Sequence, residues 1–126
     1  DGQTYPLEGH FVYKTDNGKI TVISVLYNYG DENQALKQIW DKMPQAANTE
    51  TELPQAISLD DFYPEDKDYY NFEGSLTTPP CTEGVNWIVF KNQETVSKEQ
   101  VEKFTQTLGF ENNRPIQDTN GRQIKE

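Results

Sequence analysis

The chemistry available to this chain is limited by its side chains, since the sequence contains one histidine and one cysteine. Glu8 precedes His10 by two positions. Residues at that spacing in a strand point to the same face, so the Glu8 carboxylate can accept a hydrogen bond from the His10 imidazole. Carboxylates orient metal-bound histidines in this way, but a zinc site needs three or four ligands. By themselves, these two residues therefore favour an ordinary pair of strand neighbours.

A second group of candidate residues lies in a loop-forming stretch. Thr77 and Thr78 are followed by Pro79-Pro80, which stiffen the backbone. Two hydroxyls held in this way could bind an anionic substrate or orient a nucleophile, although the same residues also suit a plain turn. Cys81 follows, and its thiol is either an inert, partly buried side chain or one half of a disulfide with a cysteine outside the chain.

Alternating polarity predicts the strand that carries Glu8 and His10. The pattern runs from Leu7 to Thr15 and is followed by Asp16-Asn17-Gly18, residue types that accept the positive φ of a hairpin turn. Residues Ile20 to Tyr27 are β-branched and apolar on both faces, which is typical of a central strand. We therefore expect a β-hairpin.

Two further segments resemble strands. Tyr69 to Phe72 is aromatic and extended in character, and Val85 to Phe90 alternates in the β manner. The residues of the latter segment that share one face are Val85, Trp87 and Val89. Between the two segments, the composition of Glu73 to Glu83 predicts a loop.

Helical spacing of apolar residues appears in two places. Glu32 to Met43 is predicted to be a helix that Pro44 ends, and Leu59 to Phe62 a short helical turn. Ser97 to Leu108 is the clearest helix, because Ser97 and Gln100 form a capping box and Gly109 follows its last residue. The strands predicted here are too few to pair all the edges of their sheet, so the chain is expected to be part of a larger one.

The overall composition excludes several classes of partner. The chain has 126 residues, 33% of them hydrophobic, and a formal net charge of −10. An acidic protein of this kind is not expected to bind nucleic acid or an anionic membrane surface. The acidic segment from Asp60 to Asp68 lacks the spacing of a calcium loop and is expected to be a solvated surface.

Three stretches of the sequence resemble the C-terminal half of an α-class carbonic anhydrase, most closely the exported type found in bacteria. They are YPLEGHFV from Tyr5, GSLTTPPCTEGVNWIVF from Gly74, and the late RP and NGRQIK motifs. The resemblance runs in order along nearly the whole chain. It implies a mainly β fold, α+β by content, in which the chain forms part of a large central mixed β-sheet with short surface helices.

The resemblance also implies the roles of individual residues. His10 matches the third of three zinc-binding histidines, and Glu8 matches the carboxylate that orients it. Thr77 matches the threonine that hydrogen-bonds the nucleophile, and Thr78 its neighbour on the polar wall. The residues that match the apolar wall on which CO2 rests are Val22, Leu76, Val85 and Trp87. The implied activity is zinc-dependent, reversible hydration of carbon dioxide to bicarbonate, with sensitivity to sulfonamides and anions.

Cys81 matches a cysteine that, in exported members, pairs with one near the mature N-terminus. The resemblance therefore implies a disulfide with a partner outside this chain and a periplasmic or secreted location. It further implies a cis Pro79-Pro80 bond. The sequence is compatible with a homodimer.

Several features of the family pattern are not found in this sequence: the H-x-H strand, the glutamate that partners the threonine, the histidine proton shuttle and the second cysteine. Gly9 and Tyr13 are smaller departures, at positions where the family often has a larger apolar residue and a histidine. We therefore expect residues 1–126 to be a single partial domain, the C-terminal half of a longer enzyme. We expect it to supply one of three zinc ligands and to be inactive alone.

Two other interpretations remain at this stage. The chain could be a carbonic-anhydrase-like module that binds a partner without catalysis, or an acidic, mainly β structural domain without a site. Retention of Glu8, His10 and Thr77 favours the enzyme, because non-catalytic relatives usually alter the zinc histidines.

Overall fold

A computed structural model describes residues 2–126, which form a sheet of five strands with short helices. The strands are β1 (Leu7–Lys14), β2 (Ile20–Tyr29), β3 (Tyr69–Ser75), β4 (Glu83–Phe90) and β5 (Glu94–Val96). Their order is β1-β2-β4-β3, with β5 also paired to β2. The sheet is mixed, because β1/β2 and β3/β4 are antiparallel whereas β2/β4 and β2/β5 are parallel. This confirms the predicted mainly β fold with short helices.

The predicted hairpin is present and fixes the register of β1. Its pairing runs from Leu7 opposite Tyr27 to Lys14 opposite Ile20. In the turn, the Gly18 amide donates to the Thr15 carbonyl at 2.9 Å, and Gly18 has a φ of 83°. Because Gly lacks a Cβ, it adopts this left-handed conformation without steric cost.

Strand β2 occupies the centre of the sheet, as its two-sided apolar sequence predicted. It pairs with β1 on one side and with β4 and β5 on the other. The parallel register sets Val22 opposite Trp87 and Ser24 opposite Val89. The sequence analysis missed β5, since three residues are too short to show a periodic pattern.

The predicted loop from Glu73 to Glu83 is wrong at both ends. Strand β3 continues through Ser75, and β4 already begins at Glu83. Pairing with β4 extends β3 past its aromatic residues, and a β-bulge lies between Gly74 and Ser75. Gly74, one of the small residues that suggested a loop, lies at this irregular strand end. A Cβ at Gly74 would lie 2.9 Å from Cδ1 of Trp87, so the position requires glycine.

The helices agree with the prediction in position more than in length. Helix α1 covers Gln34–Trp40 and is shorter at both ends than predicted. The Asn33 side chain accepts from the Leu36 amide and so caps the first turn, while the Lys42 amide bonds back only three residues, to Ile39. A short 3-10 turn at Leu59–Phe62 matches the predicted helical turn.

Helix α2 covers Lys98–Leu108, and its ends are those predicted. Ser97 is the N-cap of a complete capping box with Gln100, and Gly109 ends the helix in the left-handed conformation. Gln100 also joins α2 to the start of α1. Its Oε1 accepts from the amides of Ser97 and Asn33 at 3.1 and 2.9 Å, and its Nε2 donates to the Asn33 carbonyl at 2.9 Å.

The sheet has two faces with different coverings. On one, which we call the covered face, the strands pack against α1 and the 3-10 turn. The buried residues of this cluster are Val25, Tyr27, Ala35, Leu36, Phe62, Phe90 and Val96. The other, which we call the open face, has a smaller cluster of Val22, Val85 and Trp87.

No helix among residues 2–126 is long and apolar enough to cross a membrane.

Candidate functional site

Glu8 and His10 form a pair on the open face of β1. The spacing of two residues along the strand brings the His10 Nε2 to 3.0 Å from the Glu8 Oε1. The His10 side chain is 30% exposed and that of Glu8 43%. The predicted contact is therefore present, at a position that remains accessible.

The electrostatics of this pair determine which imidazole nitrogen carries a proton. Burial alone would raise the pKa of Glu8, but hydrogen bonds from His10 and Ser24, together with the charge of His10, lower it below its ordinary value. An ionised carboxylate can only accept, so Nε2 of His10 must carry the proton that it donates. In the neutral imidazole, Nδ1 is then left with a free lone pair, which is the form that binds a metal ion.

Ser24 joins this pair and was missed by the sequence analysis. Its Oγ donates to the Glu8 Oε1 at 2.5 Å, the same oxygen that His10 contacts. Ser24 is completely buried and lies directly across the hairpin from His10. The register of the predicted hairpin could have revealed it, because it places the only serine of β2 diagonally across from the Glu8 carboxylate.

An aromatic and aliphatic wall lies beside His10. The ring of Trp87 meets the His10 ring edge-on, with centroids 5.0 Å apart. Trp87 is held in place by a 3.0 Å hydrogen bond from its Nε1 to the Ser75 carbonyl and by stacking on Phe72. Its position is therefore fixed by polar and apolar contacts at once.

The other predicted wall residues gather around Trp87. Val22 and Val85 are each 1% exposed, and the half-buried Leu76 packs against them. Val12, which the sequence analysis did not select, lies opposite Val22 on the open face and is 61% exposed. The apolar wall in this chain thus has a buried base and an exposed rim.

Thr77 lies in a cleft of about 240 Å³ beside this wall. Other residues that line this cleft are Glu8, Phe72, Trp87, Arg114 and Arg122. Arg114 donates to the Ser75 hydroxyl at 3.0 Å, which holds one side of the cleft. The fold thus brings Thr77 and Glu8, far apart in sequence, to one surface.

Thr78 and Cys81 lie further along the same loop. Thr78 is exposed, and its carbonyl accepts from the Cys81 amide at 2.9 Å in a turn. Thr78 is not among the described residues that line the cleft with Thr77. Cys81 is a half-buried free thiol, and the Pro79-Pro80 bond is cis.

His10 fits the role of one zinc ligand, since its Nε2 is engaged by Glu8 and its Nδ1 is free. Within residues 2–126, however, there is no group of three or more histidine, cysteine, aspartate or glutamate side chains that could hold a metal ion. The described part of the chain therefore offers one oriented imidazole, and a zinc site built on it needs ligands from elsewhere.

The mixed sheet carries an oriented histidine beside an apolar wall. Comparison with known proteins shows which family has this fold. Residues 1–126 match the family model described as eukaryotic-type carbonic anhydrase. The chain belongs to this family, the α-class carbonic anhydrases.

The similar proteins agree in sequence and structure. A carbonic anhydrase of Neisseria gonorrhoeae is 45% identical over 125 residues, covering 99% of this chain and 49% of the relative. The α-carbonic anhydrase of Thermovibrio ammonificans, in complex with the inhibitor sulfanilamide, has 47% identity and a TM-score of 0.94 over 98% of this chain and 54% of its own. Carbonic anhydrase Cah3 of Chlamydomonas reinhardtii, in complex with acetazolamide, has 30% identity and a TM-score of 0.90 over 99% and 58%. The chain thus spans about half the length of the curated relatives it matches.

Proposed function

We propose that this chain is the part of a zinc-dependent carbonic anhydrase that supplies one metal-binding imidazole and the apolar wall beside it. The reaction is the reversible conversion of CO2 and water to bicarbonate and a proton. The observation that carries the proposal is the Glu8–His10 pair, which leaves Nδ1 of His10 free on the face that also holds Trp87. Family membership and the half-length match support a site completed by residues outside this chain.

His10, Glu8 and Thr77 each have a distinct role in the proposed reaction. Zinc, when bound, supplies a Lewis acid that makes water a nucleophile near neutral pH. His10 provides one of its ligands, and Glu8 fixes the tautomer and orientation of that imidazole. Thr77 accepts a hydrogen bond from the attacking oxygen and thereby aims its lone pair at the carbon of CO2.

The apolar wall suits the substrate. CO2 has no hydrogen-bond donor and no net charge, so it is held by contact with apolar surface rather than by polar groups. Val22, Val85 and Trp87 form the base of that surface and Leu76 flanks it. We assign Thr78 to the polar side of the site, next to Thr77.

The test uses the complete protein that carries this chain, with zinc content, CO2 hydration and sulfonamide inhibition measured together. We expect stoichiometric zinc and sulfonamide-sensitive turnover, both lost in His10→Ala because a ligand is removed. The matched control is Tyr13→Ala on the same strand, which should keep its zinc. Unchanged zinc affinity in His10→Ala would contradict the proposal, whereas bound zinc without any hydration would favour the non-catalytic module.

We also propose that the protein works in an oxidising compartment, periplasmic or extracellular, with Cys81 in a disulfide to a cysteine outside this chain. The resemblance to exported members of the family supports this, and since Cys81 is the single cysteine of the sequence, its partner would lie outside residues 1–126. Mass spectrometry of the complete, unreduced protein should show Cys81 linked to a second cysteine. A free thiol at Cys81 in protein isolated without reductant would contradict the proposal.

A further inference from the structure

We propose that Ser24 is a positioning residue of the zinc site, which holds Glu8 in the orientation that fixes the His10 ring. This inference rests on the proposed function, since it assigns a second partner to the carboxylate of that site. The carrying observation is that the Ser24 hydroxyl and the His10 imidazole converge on one oxygen of Glu8, at 2.5 and 3.0 Å.

The strand register explains how the three residues meet. Ser24 lies directly opposite His10 across the antiparallel β1/β2 pair, and Glu8 precedes His10 by two residues on the same face. Glu8 is therefore the diagonal neighbour of Ser24, within reach of a carboxylate side chain. One donor comes from the strand of Glu8 and the other from the adjacent strand.

Hydrogen bonds from two strands restrict the Glu8 carboxylate more than the bond from His10 alone would. With His10 as its only partner, the Glu8 side chain could rotate together with the imidazole and keep the hydrogen bond. A second donor, fixed on the central strand β2, removes that freedom and sets the ring relative to the sheet. Ser24 is suited to this because it is completely buried and its backbone is held by pairing on both sides.

The hydroxyl at position 24 also needs an explanation in its own right. The residues around it in β2 are Val22, Ile23, Val25 and Leu26. A hydroxyl buried in such surroundings costs free energy unless it is hydrogen-bonded, and the Glu8 carboxylate is the acceptor that it uses. The Ser24 hydroxyl is therefore retained in apolar surroundings by its hydrogen bond to Glu8.

The experiment measures equilibrium zinc affinity, by competition with a chelator, in the complete protein and its Ser24→Ala variant. Loss of a group that orients a ligand's hydrogen-bond partner should weaken zinc binding on the order of tenfold. In the metal-free protein, long-range proton–nitrogen NMR of His10 should show the Nε2–H tautomer, and Ser24→Ala should increase the share of Nδ1–H. Unchanged affinity and an unchanged tautomer would overturn the inference.

A double-mutant cycle shows whether Ser24 acts through Glu8. We expect Ser24→Ala to cause no further loss of zinc affinity once Glu8→Ala is present, because the group that it positions is gone. Additive losses in the two variants would overturn the proposed route. The matched control is Ser97→Ala, which removes another buried serine hydroxyl, that of the α2 cap, and should lower stability without changing zinc affinity.

The His10→Ala variant keeps this inference separate from the function itself. If His10→Ala leaves zinc affinity unchanged, the proposed function is wrong and the inference fails with it. If His10→Ala abolishes zinc binding while Ser24→Ala has no effect, the function stands and only the role of Ser24 is wrong.

Discussion

At the scale of single residues, the Glu8 carboxylate links the stability of the fold to the chemistry of the site. It accepts from His10 and Ser24, and these contacts lower its pKa from the ordinary value of 4.5. A group whose pKa is lower in the folded state stabilises that state above its unfolded pKa, and this contribution is lost as the pH falls through the folded value. The stabilisation from Glu8 should therefore be present at neutral pH and disappear in acid.

Glu8→Gln tests this dependence. We expect the variant to be less stable than the wild type at neutral pH, with the difference shrinking as the pH falls below 4.5. Urea unfolding over a series of pH values measures it, with the exposed Glu111→Gln as control. A difference that is constant with pH would show that the carboxylate charge is not responsible.

Thr77→Ala tests the role of the cleft hydroxyl. We expect zinc binding to be retained and CO2 turnover to fall about a hundredfold, the scale for losing one positioned catalytic group. Stopped-flow hydration assays on the complete, zinc-loaded protein measure the rate. The control is Thr105→Ala, whose hydroxyl bonds only within α2. Wild-type turnover in Thr77→Ala would remove the role assigned to Thr77.

Gly9, a departure from the family pattern, has a packing explanation. A Cβ at this position would lie 3.3 Å from Cε2 of Tyr27, whose ring is completely buried. Burial, followed by the charge of Glu94, raises the pKa of Tyr27 to about 12, so the phenol stays neutral in the core. The small residue on β1 and the large one on β2 therefore complement each other across the hairpin.

Gly9→Ala should accordingly destabilise the protein by about 1–3 kcal/mol, the usual cost of overpacking. In a Tyr27→Leu background the same change should cost much less, because the ring it would meet is gone. Urea unfolding of the four proteins of this cycle measures the coupling. Equal costs in the two backgrounds would show that the Tyr27 ring is not what requires glycine.

At the scale of elements, Gln100 connects the two helices to each other. Its side chain caps α2 at Ser97 and holds both the amide and the carbonyl of Asn33 at the start of α1. Trp40 adds a 2.8 Å hydrogen bond from its Nε1 to the Gln100 carbonyl. The buried amide of Gln100 thus joins the two helices by hydrogen bonds, beside the apolar contacts that pack α1 on the covered face.

Gln100→Ala should lower the free energy of unfolding by about 3 kcal/mol, because it leaves buried backbone groups without partners. Gln100→Glu should also destabilise, since a carboxylate keeps the acceptor and loses the donor to the Asn33 carbonyl. The exposed Gln106→Ala on the same helix is the matched control. Urea unfolding with a loss in Gln100→Ala no greater than in this control would contradict the connection.

At the scale of the whole molecule, the described residues hold no group of three or more side chains that could bind a metal ion. The sheet ends on one side at β1, the strand that carries His10 and Glu8. The sequence contains one histidine, so the chain can contribute one imidazole to a metal ion. For the proposed zinc site, the remaining ligands are therefore expected from outside the described residues 2–126.

We expect the 126-residue chain alone, supplied with zinc, to show no appreciable CO2 hydration, because one imidazole cannot hold the ion in a catalytic geometry. A hydration assay with and without a sulfonamide measures this, and the complete protein serves as the positive control. Sulfonamide-sensitive turnover by the chain alone would refute the expectation.

The sequence by itself determined the parts of this protein that depend on neighbouring residues. The hairpin with its Asn17-Gly18 turn, helix α2 with its cap, and the Glu8–His10 pair all follow from spacing along the chain. The motif around Thr77 also carries the resemblance to the family. Local hydrogen bonds and side-chain periodicity act over a few residues, so they can be recognised in sequence.

Only the tertiary structure decided which distant segments meet. The parallel pairing of β2 with β4, the short strand β5 and the extension of β3 through Ser75 come from pairing partners far away in the chain. The shared cleft of Glu8 with Thr77 depends on that pairing, whereas the contact of Ser24 with Glu8 follows from the register of the β1/β2 hairpin. Register between strands is set by packing across the whole sheet, and shifting it by one residue would turn every side chain to the opposite face.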